Sequence, residues 1–75
     1  MNLTEFTQAF ANMFDDTDES LFNENTNYQD LDEWSSLMTM STIAMVRTKC
    51  GKPITAKEIH SCETIADLYN LIMGK

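Results

Sequence analysis

Lysine and arginine are absent from the first 46 residues of this 75-residue chain; the first is Arg47. The same stretch holds nine acids, Glu5, Asp15, Asp16, Asp18, Glu19, Glu24, Asp30, Asp32 and Glu33. With 12 acids against 5 bases and a net charge of −7, the chain would repel the phosphates of nucleic acid, which excludes that class of partner and favours basic proteins. Only two cysteines are present, Cys50 and Cys62, too few for a disulfide framework, so they read as reduced thiols of a cytoplasmic protein. No apolar run reaches the length of a membrane span, and the first residues lack the basic and apolar regions of a signal peptide. With two glycines and one proline there is no Pro- or Gly-rich tail, so Met1 to Lys75 reads as one free-standing domain, and a monomer is expected.

What the chain does have is helical periodicity. Leu3, Phe6, Phe10, Met13 and Phe14 form one apolar stripe, and Asn2 with Glu5 resembles a capping box. These predict a first helix over about residues 3–14. Residues 15–34 keep no period. Leu21, Phe22, Tyr28, Leu31 and Trp34 are spaced through them as anchors, which predicts a long pinned loop with one helical turn near Ser20. A second helix is expected from Ser35 or Ser36 to about Lys49, with Gly51 in the left-handed position after it and Pro53 barring its resumption. Thr55-Ala56-Lys57-Glu58 and Thr64-Ile65-Ala66-Asp67 are two further capping boxes. The first opens a short helix; the second opens a last helix burying Ile65, Leu68, Tyr69 and Ile72. The expected fold is all-α, a small antiparallel bundle of three main helices and one short one, with the long loop between the first and second.

Few residues offer chemistry. His60, Cys62 and Cys50 could ligate a metal, but the paired C-x-x-C spacing of a zinc site is missing, and apolar packing of the cysteines is the simpler reading. Asp16-Thr17-Asp18 opens like a calcium loop, yet Leu21 stands where the turn glycine belongs and Asn27 where the bidentate Glu belongs. There is one histidine and no nucleophile elbow, so the sequence offers no enzyme active site. The richest stretch is Trp34-Ser35-Ser36-Leu37, where the acidic loop runs into an uncharged, methionine-rich helix. A serine there can cap the helix, or can present a hydroxyl at the helix's positive end, where phosphate is favoured. Met38, Met40 and Met45 read as core or as adaptable partner-facing surface.

The order of these pieces resembles the acyl carrier proteins and, more distantly, the peptidyl carrier proteins. The likeness rests on Ser35-Ser36-Leu37 at the head of the second helix, on Ile54 to Ile59, and on Glu63 to Leu68, across a chain of similar length, acidity and first loop. The resemblance implies a 4′-phosphopantetheine arm, derived from coenzyme A, esterified to Ser36 and carrying acyl or aminoacyl groups as thioesters. Leu37 is then the apolar residue that follows the attachment point and anchors the helix, and Ser35 takes the usual Asp position as its cap. The implied partners are a phosphopantetheinyl transferase and the enzymes that load and process the cargo. Leu37 to Val46 contains no acid, so Asp30, Asp32, Glu33 and Glu58 would steer those partners, with Leu37, Met38 and Met40 as the apolar contacts. That departure points to a dedicated biosynthetic pathway, of the polyketide or amino-acid-tethering kind, rather than housekeeping fatty-acid synthesis. The alternative is an unmodified carrier-like module acting only through protein binding.

Overall fold

A computed structural model describes all residues, Met1–Lys75. Helices and helical turns take up 60% of the chain and there is no strand, as the apolar periodicity requires. Helix α1 spans Leu3–Ala11, α2 Ser36–Met45, α3 Ala56–Ser61 and α4 Ile65–Met73. Helix α1 is shorter than the stripe suggested: Met13 and Phe14 lie in a turn, where their N–H groups bond the carbonyls of Phe10 and Ala11. The three-residue register of that turn still points Phe14 inward, so the apolar pattern outlasts the α-helix. Helix α2 ends earlier than Lys49 in strict form and continues as a wider π-turn over Val46–Cys50. Gly51, at φ +67°, then stops it in the left-handed region.

Three helix starts follow the same local rule. Asn2 and Glu5, Thr55 and Glu58, and Thr64 and Asp67 each form a reciprocal capping box. Each satisfies backbone N–H groups that a helix start otherwise leaves without partners.

Phe6, Phe10, Tyr28, Val46, Ile59, Ile65, Leu68 and Ile72 are completely buried, and α1 packs on α2 and α4 while α2 packs on α3. Burial of these large side chains is the main stabilising term in so small a domain. The loop between α1 and α2 joins that core rather than skirting it. It forms 3₁₀ turns at Glu19–Leu21, around the expected Ser20, and at Tyr28–Asp30. The Tyr28 phenol donates to the carbonyls of Ile59 and Cys62, and Gln29 Nε2 donates to those of His60 (3.2 Å) and Cys62 (2.8 Å). These carbonyls belong to the end of α3 and would otherwise be orphaned. From the same loop, the carbonyls of Thr26 and Glu24 accept the N–H groups of Ile65 and Ala66 at the start of α4. One loop thus closes both ends of the α3–α4 corner.

Candidate functional site

The backbone reaches Ser36 along a fixed path. Glu33 accepts hydrogen bonds from the N–H of Asp15 (3.0 Å), the N–H of Asp16 (3.1 Å) and the hydroxyl of Thr17 (2.7 Å). The Thr17 hydroxyl first, and then the backbone N–H groups, stabilise the charged form and hold its carboxyl below the usual carboxylate range. Trp34 follows, half-buried among Phe10, Phe14 and Tyr28, with ring centroids at 6.3, 6.4 and 5.0 Å. The two residues before the serine pair are therefore clamped by hydrogen bonds on one side and by aromatic packing on the other.

Ser35 is extended, with φ −160° and ψ 176°, and its hydroxyl accepts the N–H of Met38 at 3.4 Å. It is the N-cap of α2. Ser36 is the first helical residue and is exposed. The N–H groups of Ser36 and Leu37 have no acceptor within the chain. Helices α1, α3 and α4 all carry a capping-box carboxylate at their start, but the first turn of α2 has no acid and holds Met38 where the others hold Glu or Asp. The positive end of α2 is the one left uncompensated beside an exposed hydroxyl. That arrangement favours a negative group attached there, since unpaired N–H groups and the helix dipole both point at it.

Around Ser36 the expected contact residues divide. Leu37 is 71% exposed and Met40 67% exposed, so they form an outward apolar ridge one turn long. Leu37 does not anchor the helix, contrary to expectation. Met38 does so instead, buried with Thr39, Thr42 and Met45 on the inner face. Met38 accordingly has no surface to offer a partner. Asp30 and Asp32 are exposed and uncommitted. Glu33 is not: its carboxylate accepts three hydrogen bonds inside the loop, which gives it a structural role. Glu58 is likewise engaged, closing its capping box and pairing with Lys75 at 2.7 Å.

The metal candidates are not brought together. Cys62 lies in the core, Cys50 Sγ sits 3.8 Å from the Met1 sulfur, and no group of three His, Cys, Asp or Glu side chains could hold a metal ion. Burial pushes both thiols up from their usual range, keeping them protonated. His60 instead faces α2, with Nε2 at 3.4 Å from Thr39 Oγ1. Sequence reasoning gave His60 no role beyond a possible ligand, because a contact spanning 21 residues leaves no local signature. No helix is long and apolar enough to cross a membrane. Comparison with protein-family models, curated proteins and solved structures found no match for the chain.

Proposed function

We propose that this chain is a prosthetic-group carrier. It would hold acyl or aminoacyl groups as thioesters on a 4′-phosphopantetheine arm attached to Ser36. The observation that supports this best is the exposed Ser36 hydroxyl on the only helix start without a carboxylate, capped by its neighbour Ser35. The residues present fit such a group: the unpaired N–H groups of Ser36 and Leu37 can receive phosphate oxygens, and no side-chain charge in that turn opposes them. Bound there, the arm would supply a terminal thiol for thioester chemistry. The chain itself would supply attachment, orientation and partner recognition, with no catalysis of its own.

In this reading the helices form an antiparallel bundle acting as a rigid monomeric mount in the cytoplasm. A phosphopantetheinyl transferase and cargo-handling enzymes would dock on the Leu37 and Met40 ridge, steered by Asp30 and Asp32. A dedicated biosynthetic route of the polyketide or amino-acid-tethering kind fits the acid-free α2. Mass spectrometry of the protein purified from its own cells tests this, by showing a phosphopantetheine-sized addition on the peptide containing Ser36. A second reading, an unmodified protein-binding module, draws on the same exposed Leu37 and Met40. A native protein without the addition would favour it.

A further inference from the structure

Building on Ser36 as the attachment point, we propose that His60, positioned by Thr39, is a second binding residue for the phosphate carried there. His60 is the chain's only histidine and lies exposed on the last turn of α3. Its Nε2 is 3.4 Å from Thr39 Oγ1, and that same hydroxyl is 3.4 Å from the carbonyl oxygen of Ser35. Ser36 and Thr39 are three residues apart on α2, so they share a face with about 5–6 Å between Cβ atoms. The imidazole therefore rests against the residue one helical turn after Ser36, on the side where α3 meets α2. An imidazole offers one N–H donor when neutral and two when charged, and a phosphate ester offers acceptor oxygens with negative charge.

The surroundings favour an anion at that point. On α3, Lys57 is three residues before His60 on the same stripe, exposed and without a carboxylate in ion-pair range. Glu58 is already committed to Thr55 and Lys75. On α2, no charged residue occurs between Ser36 and Val46. From the loop, Gln29 Nε2 donates to the His60 carbonyl at 3.2 Å and ties the end of α3 in place. Thr39 is 5% exposed, which makes it a fixed rest for the His60 ring.

The test uses the full chain with phosphoserine encoded at position 36, so the phosphate is present whether or not a transferase recognises the protein. At pH 7 the proton–carbon cross-peaks of the His60 ring should move relative to the unmodified chain. The phosphorus resonance should also differ between this protein and the same protein carrying His60→Gln. Thr39→Val, which keeps the shape and removes the hydroxyl, should shrink the ring displacement while circular dichroism stays helical. Absence of either the ring movement or the phosphorus difference overturns the proposal, even where Ser36 is confirmed as the attachment point. Both changes in a protein that no transferase modifies would keep this contact and remove the carrier reading.

Discussion

The phenol of Tyr28 donates its hydrogen bond to the carbonyl of Ile59, 31 residues further along the chain. That bond satisfies one of the last carbonyls of α3 and fixes a loop that has no regular structure of its own over most of its length. Tyr28 is completely buried, and burial holds its phenol un-ionised far above the usual tyrosine range. Tyr28→Phe would keep the ring among Phe10 and Trp34 but strand the Ile59 carbonyl. An unsatisfied buried acceptor costs about 1–3 kcal/mol. Urea unfolding should show that loss without a change in slope, and an unaltered midpoint would mean the loop is held by packing alone.

The core should be equally unforgiving. Phe10 touches Phe6, Phe14, Phe22, Tyr28 and Trp34 and has no exposed surface. Phe10→Ala should cost about 3–5 kcal/mol and Leu68→Ala about 2–5 kcal/mol. A domain of this size has of the order of 4–11 kcal/mol in total, so either change should lower the thermal midpoint sharply. Wild-type melting of either variant would relocate the core.

These two predictions differ in how visible their causes were. The capping boxes at Asn2, Thr55 and Thr64 are local, each closing within three residues, and the sequence shows them directly. So are the stripes of α1 and α4, where polar residues mark the outer face. Helix α2 is uncharged all round, and nothing in Leu37 to Val46 fixes its rotation. Met38 turns in and Leu37 out because of where α1 and α3 lie, which no local pattern records. The Glu33 clamp and the Tyr28 and Gln29 caps join residues 16 to 34 positions apart. An acid in an acidic loop looks like any other until its partners are in place. The cap at Ser35 is likewise local, but the exposure of Ser36 is not: Ile65 follows the cap Thr64 in the same way and is completely buried.

Acid should loosen the loop before the core. The carboxyl of Glu33 is lowered in the folded state by the Thr17 hydroxyl and the N–H groups of Asp15 and Asp16. A carboxyl that binds its proton less readily when folded adds stability above its unfolded range, about pH 4–5. That stability is lost as pH falls through the lower folded value. Glu58 and Asp18 are shifted the same way, by Lys75 and by Ser20 respectively. Stability should therefore fall with decreasing pH below about 5, and Glu33→Gln should flatten part of that slope. Trp34 fluorescence followed against pH reads it, since Trp34 is next in the chain. An identical profile in the variant would show that Glu33 is not titrating with the fold.

In the carrier reading proposed above, partner steering would fall to Asp30 and Asp32, both exposed and without side-chain hydrogen bonds. Asp30→Asn with Asp32→Asn should slow modification by a transferase at low salt while leaving the melting temperature unchanged. Added salt should erase the difference, because exposed charges are screened over about 10 Å at 0.1 M. Glu33 is left in place so that the loop stays intact. Equal rates for variant and wild type at low salt would place recognition on Leu37 and Met40, and Met40→Ser would then carry the defect.

The two adjacent serines separate attachment from capping. Incubation with coenzyme A and a broad-specificity phosphopantetheinyl transferase should add one arm, on Ser36. Ser36→Ala should abolish the addition and leave the helix intact, since Ser35 still accepts the N–H of Met38. Ser35→Ala should keep the addition. It should cost about 0.5–1 kcal/mol of stability, toward the low end of a lost cap because the 3.4 Å bond is long. Modification of that variant should be slowed rather than stopped, as the frayed first turn presents Ser36 less often. An arm found on Ser35 would mean that the extended residue, not the helical one, meets the enzyme. If neither serine is modified and native protein carries no arm, the Leu37 and Met40 ridge remains as the feature to explain, and the protein-binding module takes the place of the carrier.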